Sequence, residues 1–209
     1  MTPSSTPAAV SPTRPPAGLG PDLDTRHFRD VLGLFATGVV ALTAVDPATG
    51  RPAGLTANSF TAVSLRPPLV SVCVTRTSTT WPRLRAASGQ CINILAEHQR
   101  DISLRLASPD ADKFSGVAWT ASPAGHPILE GVLGWIDCVV ESEHAAGDHF
   151  IAICRVRRLD LLQDGRPLVF YRGGYHGCRK LSHASQPAIP ADRVSGAGRP
   201  TLPITGDRA

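Results

Sequence analysis

The apolar positions of this chain change their period after the first forty residues. Phe28, Val31, Leu32 and Phe35 recur at i, i+3, i+4 and i+7, one face of a helix, with Asp24 or Thr25 able to cap its start and Gly38 placed to end it. A helix so patterned packs that face on something apolar. After Gly38 the pattern becomes short β-branched and apolar runs: VVALTAV at 39–45, PLVSVCV at 68–74, INIL at 92–95, LGWIDCVVES at 133–142, HFIAICRVRRLDLL at 149–162 and PLVFYR at 167–172. DPATG, RPP and QDG supply turn signals between them, so six or more strands form an antiparallel barrel or sandwich. Two further helices interrupt the series near residues 81–87 and 99–106, and no internal repeat is present. The expected class is mainly β with a few peripheral helices.

Composition places the folded part. Every Phe, Trp and Tyr lies between Phe28 and Tyr175, whereas Pro3, Pro7, Pro12, Pro15, Pro16 and Pro187, Pro190, Pro200, Pro203 crowd the ends. One domain over residues 23–180 is expected between disordered tails at 1–22 and 181–209, because Pro, Ser and Ala cannot offset the entropy of ordering. The net charge of +4 comes from scattered cations such as Arg26, Arg51, Arg76, Arg105 and Arg155, which argues against a nucleic-acid surface. Cys73, Cys91, Cys138, Cys154 and Cys178 are odd in number and lack zinc spacing; they read as reduced and mostly buried thiols, with no metal expected. The start lacks a secretory pattern and no run approaches a membrane span, so a cytoplasmic protein with no membrane contact is expected.

Neither a Gly-x-Gly-x-x-Gly fingerprint after a strand nor a P-loop occurs, and Gly-x-Ser-x-Gly and His-Glu-x-x-His are absent. The chemistry then falls to polar segments at strand ends. In residues 54–70, small side chains at Ala57, Ser59 and Ala62 would let backbone amides approach a flat ligand, although the same alternation also suits an ordinary half-exposed strand. Thr75-Arg76-Thr77-Ser78-Thr79-Thr80 precedes a helix start with Pro82 in its first turn; its hydroxyls either cap that helix or receive a phosphate beside the free amides. Gly147-Asp148-His149 sets an imidazole beside a carboxylate at a strand mouth, able to donate, accept or stack, or simply to orient a turn. Tyr171-Arg172-Gly173-Gly174-Tyr175 either lines a planar pocket or closes the core.

Taken in order, Phe28-Arg29-x-Val31-x-Gly33-x-Phe35-x-Thr37-Gly38-Val39, residues 54–70, Cys91-Ile92-Asn93-Ile94-Leu95 with Gln99, Lys113-Phe114, Gly147-Asp148-His149 and the segment from Pro167 to Tyr175 resemble the flavin reductase family. These are short-chain FMN or FAD reductases that serve two-component flavin monooxygenases. The resemblance implies an FMN-binding split β-barrel, a homodimer with flavin near the subunit interface, FMN or FAD as cofactor, and NADH or NADPH as hydride donor. Reduced flavin would pass by diffusion to a partner monooxygenase. By the same likeness Thr56, Ala57, Asn58 and Ser59 would contact the ring and ribityl chain, with Cys73 and Val74 beside them, and Ser78 and Thr80 would meet the phosphate. Asn93, Gln99, Lys113 and Phe114 match positions near the flavin, and Gly147, Asp148, His149 and Tyr175 would border the nicotinamide side, with His149 the catalytic candidate. One departure is Arg105-Leu106-Ala107, where the family commonly has an aromatic before the alanine. The competing expectations are a tight flavin-binding electron carrier without nicotinamide oxidation, and a purely structural barrel.

Overall fold

The computed structural model describes residues 24–110 and 112–179. The tails expected at 1–22 and 181–209 lie outside the described residues. The helix α1 (Thr25–Leu32) opens on Asp24, whose carboxylate accepts from the Arg26 amide at 2.9 Å. It ends at Gly33 and not at Gly38: the Gly33 amide still bonds the Arg29 carbonyl, whereas Leu34 and Phe35 reach back only three residues in a tightened turn. Gly38 instead closes the short strand β1 (Thr37–Gly38). Among the described residues nothing covers the apolar face of α1, where Phe28 is 47% and Leu32 55% exposed, nor Phe35 just beyond it at 77%.

The strands that follow are β2 (Val40–Val45), β3 (Pro52–Ala57), β4 (Thr61–Leu65) and β5 (Pro68–Thr75). After the helix α2 (Trp81–Ala86) come β6 (Gln90–Ile94), a 3-10 turn at Glu97–Gln99 and the helix α3 (Arg100–Ala107). Then follow β7 (Trp119–Ala121), β8 (Pro127–Leu129), the long pair β9 (Gly134–Ala146) and β10 (His149–Leu161), and finally β11 (Val169–Tyr171) and β12 (Gly174–His176). Seven strands form one antiparallel sheet in the order β3-β2-β6-β9-β10-β5-β4, flanked by the small sheets β1-β11-β12 and β7-β8.

Apolar residues pack on both faces of this sheet, which explains why VALTAV shows no polar alternation. Val40, Leu42 and Ala44 face a core with Val72, Ile92, Ile136 and Cys154 that α2 plugs with Trp81 and Leu84. Ala41 faces a second core with Leu95, Leu106, Leu129, Val132 and Leu168. The sheet is a split-barrel wall that curls without closing its ladder: its two sides meet where the Ser59 hydroxyl, on the loop after β3, accepts from the Cys73 amide at 2.9 Å and donates to the Cys73 carbonyl at 3.0 Å. That bridge stands in for strand pairing along the seam.

Candidate functional site

At the seam the chain has spent few of its polar groups. The end of β3 with Thr56 and Ala57, the loop residues Asn58 and Ser59, the end of β5 with Cys73, Val74 and Thr75, and Thr77 to Thr80 before α2 surround a cavity of about 500 Å³. The end of α3 with Leu106 to Pro109, together with Lys113 and His149, completes it. This volume lies in the range of small-molecule sites, about 300–1,000 Å³. Two contacts set its floor: Thr56 donates to the Ser103 carbonyl of α3 at 3.3 Å, and the Ser59–Cys73 bridge fixes the loop. Among the described residues the amides of Asn58, Ser59, Thr79 and Thr80 have no partner in the chain.

At the α2 end, the Ser78 hydroxyl accepts from the Trp81 amide at 3.0 Å, so it does cap the helix while lining the cavity. Lys113 donates to the Thr80 hydroxyl at 3.1 Å and to the Leu106 carbonyl at 2.9 Å. An ammonium has three donors, so one is left for a ligand. Burial, aided by the nearby charge of Arg83, holds its pKa below the usual lysine value, which means that an anion in the cavity would restore the charge that burial opposes.

His149 is placed by the hairpin. Gly147, with φ +61, turns β9 into β10; His149 then pairs with Thr75, and the Arg76 amide bonds the Asp148 carbonyl at 2.9 Å. The imidazole Nδ1 lies 2.7 Å from Asp148 Oδ1, and this hydrogen bond to His149 keeps the Asp148 carboxyl below the usual carboxylate range. An ionised carboxylate can only accept, so Nδ1 carries the proton and Nε2 of the neutral ring is left as an acceptor.

Other residues named from the sequence lie off this cavity. Asn93 is fully buried in β6: its Nδ2 donates to Thr43 Oγ1 at 3.0 Å and to the Ala41 and Pro127 carbonyls at 3.3 Å, and its Oδ1 accepts from the Leu129 amide at 2.9 Å. It fastens β8 to the sheet. Gln99 accepts from the Ala96 amide and donates to the Glu130 carbonyl, closing the 3-10 turn. Phe114 packs behind β3, where a Cβ on Gly54 would come within 3.1 Å of its ring. Tyr175 meets Phe170 edge-on at 5.5 Å and shares a 2.9 Å hydrogen bond with Ser103, so it closes the second core and does not border His149. Thr75, Thr77 and Thr79, of the hydroxyl run before α2, line the cavity with Ser78 and Thr80, and so does the segment from Leu106 to Pro109, for which Ser108-Pro109 after a helical run is the one sequence signal of a loop.

Residues 32–179 match the family model described as a flavin reductase like domain. The reductase subunit HsaB of a flavin-dependent monooxygenase from Rhodococcus jostii (strain RHA1) is 48% identical over 155 residues, which is 74% of this chain and 78% of that one. A nitrilotriacetate monooxygenase component B homolog from Mycobacterium thermoresistibile superposes with a TM-score of 0.73 at 42% identity, covering 81% of this chain and 94% of that one. The NADH:FAD oxidoreductase SgcE6 of Streptomyces globisporus C-1027, solved with NAD and FAD fragments, superposes at 0.70 with 29% identity over 81% of this chain and all of that one. On the extent of the family match and the identity to HsaB, the chain belongs to the flavin reductase family.

Proposed function

We propose that the chain is the reductase component of a two-component flavin-dependent monooxygenase: it oxidises NADH or NADPH, reduces FMN or FAD, and passes the reduced flavin to a separate oxygenase. The observation that carries this reading is the seam cavity, where unspent amides, small hydroxyls, Lys113 and His149 converge on one space. These residues fit a flavin, since Ala57 and Ser59 keep the wall thin beside a planar ring and Lys113 keeps a donor for an anionic tail. A bound flavin would supply the hydride acceptor and the nicotinamide the donor, leaving position and electrostatics to the protein.

The chain's own tasks follow. The amides of Asn58 and Ser59, left without partners among the described residues, would donate to charge developing on a bound ring, a role worth up to about 3–4 kcal/mol by analogy with oxyanion donors. Ser78, Thr80 and Lys113 hold the phosphate end. His149, whose tautomer Asp148 fixes, would offer Nε2 as an acceptor to orient the nicotinamide. No covalent nucleophile takes part. A second copy of the chain covers the bare face of α1 and the exposed Val63 and Leu65 of β4 as a homodimer, and the five free thiols suit the reducing cytoplasm.

The test is oxidation of NADH and NADPH by the purified chain with FMN and with FAD. Oxidation that requires added flavin supports the reading; absence of turnover in all four combinations refutes it. Yellow flavin retained through dialysis without nicotinamide oxidation would instead identify an electron carrier, and sedimentation as a monomer would refute the dimer.

A further inference from the structure

A one-residue irregularity in β9 turns a carboxylate toward the core. The pairing of β9 with β10 runs Glu143↔Ala152 and Ser142↔Ile153, then passes to Val140↔Cys154, so Glu141 is an extra residue on β9. Ala152 and Cys154 both face the core that α2 plugs, and Val140 packs against it. Glu143, three residues from Val140, therefore lies on that same inner side, where simple alternation would have sent it outward.

A carboxylate on the inner side of a strand is costly unless its oxygens find partners. Both do, and both on α2. Oε2 accepts from the Trp81 indole Nε1 at 2.7 Å, and Oε1 accepts from Arg85 Nη1 at 2.9 Å, with the Glu143 side chain only 15% exposed. Trp81 is the buried first residue of α2, so its bond to Glu143 sets where the helix begins. Arg85 is largely exposed and balances the charge.

Immediately before Trp81 lies one end of the seam cavity. The Trp81 amide donates to the Ser78 hydroxyl at 3.0 Å, and the Arg83 and Leu84 amides donate to the Thr80 carbonyl at 3.1 and 3.2 Å. Ser78 and Thr80 thus take their places from the first turn of α2. Among the described residues their hydroxyl oxygens only accept, from Trp81 and Lys113, so each keeps its proton for a ligand. Glu143 and Trp81 themselves do not line the cavity.

We propose that Glu143 is a positioning residue for the flavin phosphate: through the Trp81 indole it fixes the start of α2, and with it the two hydroxyls that meet the phosphate beside Lys113. The inference rests on the reductase reading, which puts a flavin phosphate at this end of the cavity. Affinity for the phosphate then depends on a side chain outside the cavity, while the ring end, built on Thr56 to Ser59, does not.

Riboflavin, which has the ring and ribityl chain but no phosphate, separates the two ends. Fluorescence titration of the whole chain should show FMN bound more tightly than riboflavin. In Glu143→Leu the FMN dissociation constant should rise about 3- to 10-fold, the size of one neutral hydrogen bond, with riboflavin unchanged. KM for FMN should rise likewise while kcat at saturating FMN holds. Trp81→Phe removes the indole N–H from the other side and should act alike, whereas Glu143→Gln keeps an acceptor oxygen for the indole and should restore FMN binding. Asp46→Asn breaks the other ion pair of α2, to Arg83, and should leave the preference for FMN intact. Thermal unfolding checks that each variant is folded. Equal losses for FMN and riboflavin, an FMN affinity indifferent to Glu143 and Trp81, or no restoration by Glu143→Gln overturns the proposal. A natural chain that binds FMN no better than riboflavin, or whose preference survives Lys113→Met, sinks the placement of the flavin as well; a preference that needs Lys113 but not Glu143 sinks this inference alone.

Discussion

The middle of the seven-stranded sheet and its seam use similar side chains to opposite ends. In the middle, Asn93 is fully buried and both ends of its carboxamide are spent on the protein, on Thr43, three carbonyls and the Leu129 amide. At the seam, Asn58 is exposed and its backbone amide has no partner among the described residues. A strand between two neighbours has every backbone group committed, so a polar side chain there survives only by tying something else down. Where strand pairing lapses, groups are left for a ligand. Hydrogen-bonding capacity that the fold has not consumed is what marks the site.

The largest expected effect tests the middle. Asn93→Leu strands the Leu129 amide among apolar atoms and takes from the Thr43 hydroxyl the donor it accepts from, and should lower the unfolding free energy by about 2–4 kcal/mol while the folded fraction binds flavin normally. Denaturant unfolding together with flavin fluorescence separates the two quantities. Loss of flavin affinity without loss of stability would move Asn93 to the seam.

Lys113→Met should weaken FMN binding by about 1.5–3 kcal/mol, the range for charged hydrogen bonds, with little change in stability. Because burial already lowers the Lys113 pKa, flavin affinity of the natural chain should also decline on the alkaline side before an ordinary lysine would deprotonate, and that decline should vanish in Lys113→Met. His149→Ala should reduce kcat about 10-fold, near 1.4 kcal/mol, with the flavin dissociation constant hardly moved. Equal losses in both would make His149 part of the flavin wall only.

The smallest effect returns to the framework. Asp46 caps the turn after β2 through the Ala48 amide at 2.9 Å and meets Arg83 of α2 at 2.8 Å; the hydrogen bond from Arg83 is the chief cause of its lowered pKa. A carboxyl with a depressed folded pKa adds stability above its unfolded pKa and loses it as pH falls through the folded value. Asp46→Asn should therefore flatten acid unfolding slightly below the ordinary carboxylate range while leaving flavin binding unchanged.

The sequence made the strands legible because their apolar runs are bounded by turn residues, and the cavity loops legible because Thr56 to Ser59, Ser78 to Thr80 and His149 fall at strand ends. What it hid was partnership. The motif holding Asn93 and Gln99 resembles the site segments in polarity, yet only tertiary pairing shows that Pro127, Leu129 and Glu130 take up their hydrogen bonds. The helix α1 shows the same limit: its spacing announced an apolar face, and α2, two residues shorter and less regular, is the helix that buries Trp81 and Leu84. Periodicity tells that a face exists; burial depends on what reaches it.

The most direct test of the seam as the ligand site is a crystal structure of the chain with oxidised FMN. The account predicts the ring against Thr56 to Ser59, the phosphate by Ser78, Thr80 and Lys113, and the ring face toward His149 open to a second planar molecule. A flavin bound elsewhere, or one whose face on the His149 side is covered by the chain's own atoms, would contradict it.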